Sequence, residues 1–222
     1  MPNSKPISYY PAADINEIEA VLNYQVEAQK WALALGSSVD SVTPGAANAA
    51  VNNSASTSAK VVNYEGVKLP PNAQIIWEFL TKRHSFTNAA AAGVIGNLMA
   101  ESSCDPKKYQ LNGGVGRGIM QWTENGRWAM LLAWAKRSGK DPWELETQME
   151  YMIIEMKNPE FRKSKALTLK VSVYDHLKTL TDPISAANVF ESQMERAGIP
   201  HMERRHQFAM AIYSYNLVKG VQ

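Results

Sequence analysis

Two stretches decide how this chain reads: AAAAGVIGNLMAESS, from Ala89 to Ser103, and GVGRGIMQW, from Gly114 to Trp122. The first is an alanine-rich helix, capped at its start by Thr87 or Asn88, that ends near Ser102. The small residues Ala89 to Ala92, Gly93 and Gly96 let other helices come close, so this helix is expected to be central and its end well fixed. Glu101 stands in its last turn. There the negative end of the helix dipole opposes ionisation, and Leu98, Met99 and Ala100 are expected to desolvate the carboxyl, so both effects push its pKa upward. The second stretch reads as a glycine-rich turn followed by an apolar strand that carries Gln121. Gly113, Gly114, Gly116 and Gly118 do not form a phosphate cradle, because no Lys-Ser/Thr follows and no βαβ unit surrounds them. They read as turn residues that allow positive φ and close approach of a ligand to the backbone.

The rest of the chain narrows the class. Its 222 residues hold one ordinary domain plus an appendage, or two small domains. With 23 basic against 21 acidic residues there is no excess of the kind nucleic-acid binding needs. The single cysteine, Cys104, excludes an intrachain disulfide, and as a nucleophile it lacks a recognisable histidine partner. His84, His176, His201 and His206 form no H-E-x-x-H or comparable set, so neither a metal nor another cofactor is expected. The opening MPNSKPISYYPAADINE has no basic n-region, apolar h-region or cleavage site. No uncharged apolar run reaches the ~18 residues of a membrane span. The expectation is a soluble chain without encoded Sec export.

Composition divides the chain into three. Residues 1–35 contain a helix from Asp14 to Leu35, with Ile15, Ile18, Leu22 and Val26 on one face and Asp14 and Glu17 as a capping pair. One helix cannot bury its own apolar stripe, so this one must dock on something. Residues 36–62, rich in Ser, Ala and Asn, read as a linker. Residues 63–222 hold the core. Leu69-Pro70-Pro71-Asn72 introduces a helix to about Lys82, with Ile75, Ile76, Phe79 and Leu80 facing inward. Past the glycine-rich turn, helical patterns run at about 126–137, 142–157, 183–197 and 202–217. The domain is predicted to be mostly helical with one small glycine-rich β element.

The segment Asn97 to Ser102, followed by Gly118-Ile119-Met120-Gln121, resembles the goose-type lysozyme and lytic transglycosylase superfamily. A closer resemblance, to the phage tail lysozyme domain, rests on six motifs in order. They are Ile76-Trp77-Glu78-Phe79-Leu80, Ala92 to Ser102, Gly116 to Trp122, Gly126-Arg127-Trp128, Met194-Glu195-Arg196-Ala197-Gly198, and Arg204 or Arg205. The match covers roughly residues 70 to 217, and residues 1–62 have no counterpart in it.

The resemblance implies a mainly α, α+β lysozyme-like fold with the β element beside a cleft. It also implies a virion tail enzyme that cuts the MurNAc-GlcNAc β-1,4 bond of peptidoglycan during DNA entry. On that reading Glu101 is the general acid, which must carry a proton for the leaving oxygen. Gln121, Ser102 and Gly118 line the cleft, and Tyr109 and Trp122 stack on sugar faces, unless Trp122 is core. Glu195 joins the substrate-binding set, or holds Arg127 or Arg205. Glu124 is the candidate second carboxylate: goose-type enzymes carry an aspartate two residues after the matching glutamine, and Glu124 lies three after Gln121. Without a second acid, the substrate's own N-acetyl group would assist, giving the 1,6-anhydro product of a lytic transglycosylase. An inert lysozyme-like module that grips peptidoglycan or plugs a tail tube is the other alternative. The partners implied are the glycan strand and, through the N-terminal helix, other tail proteins; the rival for that helix is packing on its own domain.

Overall fold

A computed structural model describes residues 62–64, 66–111 and 113–220. The helix expected at Asp14–Leu35 and the linker up to residue 61 lie outside the described residues. The described part opens with a hairpin that periodicity did not reveal. Strand β1, Val62–Tyr64, pairs antiparallel with β2, Val67–Leu69, in the register Val62↔Leu69 and Tyr64↔Val67. Gly66, at φ +78°, supplies the left-handed turn residue this tight connection needs. Val62, the last residue of the expected linker, is therefore already in a strand.

Helix α1, Pro71–Glu78, starts with proline at its first position, where a missing N–H costs nothing. It runs into a π-helical turn, Phe79–Arg83. Ile76, Trp77, Phe79 and Leu80 are buried, whereas Ile75, expected to face inward, is 49% exposed. The inward face is set by Ile76 and Leu80, one turn apart, and Ile75 lies about 100° round the helix from Ile76.

The alanine-rich helix α2, Asn88–Ser102, is capped by Thr87, whose hydroxyl accepts from the Ala90 N–H at 3.0 Å. From Ala89 to Met99 every residue is buried, as befits a helix apolar all round. It leaves through two left-handed residues, Ser103 and Cys104, whose N–H groups return to the Met99 and Leu98 carbonyls.

Strand β3, Gly116–Arg117, pairs antiparallel with β4, Trp122–Thr123. Between them Gly118–Gln121 is a turn, with φ +69° at Gly118 and +49° at Gln121. Gln121 therefore does not lie on a strand as expected: pairing resumes only at Trp122. Helices α3 (Arg127–Arg137), α4 (Leu145–Lys157), α5 (Val173–Lys178), α6 (Pro183–Phe190) and α7 (Met202–Gly220) complete the domain. A second π-helical turn, Glu191–Glu195, extends α6. The long helical patterns are thus where they were expected, and α5 is additional, capped by the Ser172 hydroxyl on the Asp175 N–H at 3.0 Å.

The layer that positions the site is α2 packed between α6 and α7. Two glycines set the spacing. A Cβ on Gly93 would lie 2.5 Å from the Ala186 Cβ and the Ala187 N, and one on Gly96 would lie 2.7 Å from the Arg205 carbonyl oxygen. Gly96→Ala should cost about 1–3 kcal/mol, the usual penalty for overpacking a tight core. Gly198→Ala, where a Cβ meets nothing within 4 Å, should stay within about 0.5 kcal/mol. Urea unfolding of the two variants checks this, and equal effects would contradict it.

Candidate functional site

The end of α2 meets the start of α7 through charge. Arg205, in the first turn of α7, is 3% exposed. Its Nη1 donates to Asn97 Oδ1 at 2.9 Å, its Nε to the Pro200 carbonyl at 2.6 Å, and its Nη2 to Glu101 Oε1. Asn97 is itself buried, its Nδ2 donating to the Gly93 and Ala187 carbonyls at 2.9 and 3.1 Å. A guanidinium cannot be enclosed without acceptors, and here all three come from fixed backbone or side chains. Glu101 keeps 20% of its side chain exposed. Leu98 and Met99 belong to the core, and Arg205 is the charged group that meets the carboxylate.

Beside this pair the last residue of the second π-helical turn, Glu195, brings another carboxyl. Glu195 is partly buried as a residue, but its Oε1 is sealed from solvent and has no hydrogen-bond partner. Burial pushes this carboxyl well above the ordinary glutamate value; the Glu101 charge adds to the push, and Arg127 and Arg205 oppose it. A third carboxylate, Glu155 of α4, is wholly buried and takes Arg127 bidentately, at 2.8 Å from Nε and 2.7 Å from Nη2. Glu155 Oε2 also accepts from Trp122 Nε1 at 2.8 Å. Burial works against the Arg127 charge, but Glu155 more than offsets it and holds the guanidinium protonated. Arg127 Nη1 closes the circuit on the Met194 carbonyl at 2.7 Å.

The glycine-rich turn is anchored from below. The Ser102 hydroxyl donates to the Ile119 carbonyl at 2.9 Å, and Gln148 Oε1 accepts from the Ile119 N–H at 2.9 Å. Gly118 packs against Gln148, whose Oε1 would stand 2.5 Å from an added Cβ. Ser102 and Gly118 are thus buried positioning residues, and their expected contact with sugar is replaced by contact with the turn and Gln148. Gln121 Nε2 donates to the Gly118 carbonyl at 2.9 Å, bracing the turn from within. Trp122 is 1% exposed and is core, not a stacking surface. Tyr109 is 56% exposed, but its ring already stacks on Trp143 at 5.1 Å and has Arg117 over it, 4.6 Å from the ring centre. Glu124 stands on the outer edge, 49% exposed and bonded to Arg117 at 2.9 Å. Cys104 is buried, and burial pushes its thiol up, away from the thiolate a nucleophile needs.

The structure therefore brings Glu101, Glu195, Arg205 and Asn97 together and leaves Glu124 with Arg117. Sequence reading missed Asn97, Gln148 and Glu155, each buried and polar on a helix. Glu155 had one signal, a charge in the apolar run Met152-Ile153-Ile154-Glu155-Met156. Among the described residues no group of three or more His, Cys, Asp or Glu is placed to hold a metal, and no helix is long and apolar enough to cross a membrane. A cavity of about 870 Å³ lies beyond Glu195, lined in part by Arg196, Ala197, Gly198 and Pro200, and Glu101 is not in its wall.

A family model described as phage tail lysozyme matches residues 71–215. Morphogenesis protein 1 of Bacillus phage B103 is 28% identical over 139 residues, covering 60% of this chain and 36% of that protein. The chain thus spans about a third of that relative's length.

Two measurements test the network. Glu155→Ala strands Arg127 and the Trp122 N–H, and should cost about 3–5 kcal/mol in chemical denaturation, as breaking a buried pair does. For Glu195 the sign follows from its raised pKa. The folded state holds this proton more tightly than the unfolded chain, so the group's contribution is intact below about 4.5, the ordinary value, and is lost as pH rises through the folded value. Glu195→Gln should therefore raise the Tm more at pH 8 than at pH 4. An equal change at both would overturn the assignment.

Proposed function

Given that this chain belongs to the phage tail lysozyme family, we propose that it is a virion-associated muramidase, cutting the MurNAc-GlcNAc β-1,4 bond of host peptidoglycan for tail penetration and DNA entry. The observation that carries this reading is Glu101: a carboxylate at the end of a fully buried helix, partly open to solvent and clamped from one side by Arg205. Helix α2 packs against its neighbours at Gly93 and Gly96 with no room for a side chain, and Arg205 ties its end, which supports a fixed place for the carboxyl.

In this role Glu101 hands a proton to the leaving glycosidic oxygen. Glu195, next to it, brings a second carboxyl to the site, one that burial pushes well above the ordinary glutamate value. Gln121 and the turn Gly118–Gln121 flank the cleft, and the half-exposed Tyr109 offers its ring edge and hydroxyl to a sugar. The N-terminal 35 residues serve as the docking element to other tail proteins, and residues 36–62 as the tether.

Glu124 is the candidate second carboxylate for hydrolysis. Its engagement with Arg117 favours a second outcome, in which the substrate's N-acetyl group assists and a 1,6-anhydro sugar forms. One experiment separates these readings. Purified peptidoglycan is incubated with wild type and with Glu101→Gln, and the products are weighed by mass spectrometry. The variant keeps an acceptor for Arg205 and should lose about a hundred- to ten-thousandfold in rate, the range for a general acid. Wild-type activity retained in a folded Glu101→Gln would refute the role, and products lighter by one water would identify the transglycosylase. An inert module would release nothing in either case.

A further inference from the structure

The cavity beyond Glu195 has a chemistry of its own. Building on the muramidase reading, we propose that it is a subsite for the short charged peptide that branches from the wall glycan, held by Lys163, Lys165 and Glu191 while Glu101 works on the neighbouring sugar bond.

Position is the first argument. Residues Arg196, Ala197 and Gly198 of its wall follow directly on Glu195, and the carbonyl of Pro200, also in its wall, accepts from Arg205 Nε at 2.6 Å. The same guanidinium reaches Glu101 through Nη2. One side chain thus links the wall of the cavity to the carboxylate. The volume, about 870 Å³, is that of a site for a small ligand rather than a packing defect.

Charge is the second argument. Lys163 and Lys165 are exposed at the cavity, and among the described residues neither forms an ion pair. Arg196 also lines it: its Nε and Nη2 donate to the Gln193 and Lys163 carbonyls, at 2.9 and 3.0 Å, and it lies over Phe161. It builds the wall and adds its charge to that of the two more freely placed ammonium groups. Glu191, largely buried, lines the same space, and among the described residues only its Oε1 is engaged, by the Ala197 N–H at 3.0 Å. Two ammoniums and a carboxylate with a free oxygen suit a partner that carries both carboxylates and an amine. Sugar hydroxyls and N-acetyl groups have no charge to match them, whereas a stem peptide with a diamino acid has both kinds. A polyphosphate would be repelled by Glu191.

The site is also built in advance. Buried Gln193 donates to Ser164 Oγ at 2.9 Å and to the Leu167 carbonyl at 3.1 Å, and the loop closes on itself through the Lys163↔Thr168 bridge. A loop tied down in this way is already ordered when the ligand arrives.

The test uses the full chain and two forms of one substrate: peptidoglycan with its stem peptides, and the same glycan stripped of them by an amidase. Wild type should cleave the intact form with the higher kcat/KM. Replacing both lysines, Lys163→Ala with Lys165→Ala, should lower that preference about three- to tenfold, the sum of two partly screened charge contacts, and leave the rate on stripped glycan unchanged. Equal cleavage of both forms by wild type, or an undiminished preference in the double variant, would overturn the proposal. A second arm does not depend on catalysis. Free stem tetrapeptide is titrated against Glu101→Gln by NMR, and shifts should appear at Ala166 and Ala197 and vanish in the lysine variant. If neither glycan is cut the muramidase reading fails, and the titration still decides the subsite. Absence of shifts, or shifts produced by poly(glycerol phosphate) and not by the peptide, would refute it.

Discussion

The guanidinium of Arg205 is the constraint on which the domain's organisation turns. Gly96 lets α7 approach α2 so closely that the first turn of α7 lies against the helix backbone, and this closeness buries Arg205. A buried cation without partners would be costly enough to oppose the packing that enclosed it. Asn97, the Pro200 carbonyl and Glu101 offset that cost, two of them from α2, which packs against both α6 and α7, and one from the segment leading into α7. The carboxylate that the muramidase reading needs is therefore also part of the packing.

Charges of both signs crowd around it. Two arginines, Arg127 and Arg205, stand among three carboxyls, Glu101, Glu155 and Glu195. With all three acids ionised the cluster would carry a net negative charge in a poorly hydrated place. Glu155 is committed to Arg127 and Trp122, and Glu101 has Arg205, whereas the buried Oε1 of Glu195 has no hydrogen-bond partner and burial pushes that carboxyl upward. Glu195 is the member of the set whose ionisation costs most.

The second half of the site depends on hydrogen bonds across long stretches of chain. Ser102 at the end of α2 and Gln148 of α4 grip the two sides of the Ile119 peptide, one at the carbonyl and one at the N–H. That double grip fixes the glycine-rich turn relative to Glu101. It also explains why Gly118 has no room for a side chain, and why the hydroxyl next to the acid faces inward instead of toward a sugar.

What could be read from residues alone was local or patterned. The alanine-rich helix, its Thr87 cap, the long helical segments, the turn with its glycines and the family were all legible, because capping, periodicity and ordered motifs are written within a few residues of one another. The hairpin β1–β2 and helix α5 escaped, being too short for periodicity to register, though Gly66 and the Ser172/Asp175 pair were there as signals. Other matters could be settled only by the packed chain. Trp122 could equally have been core or platform until Glu155 arrived beneath its indole; Ser102 could have faced a substrate until the turn folded over it. The partner of Glu101 came from α7, and the carboxyl beside it from the end of α6, far along the chain. A group's ionisation and reach depend on what surrounds it in space, and those surroundings are created by helices whose closeness is set by two glycines rather than by any motif around the group itself.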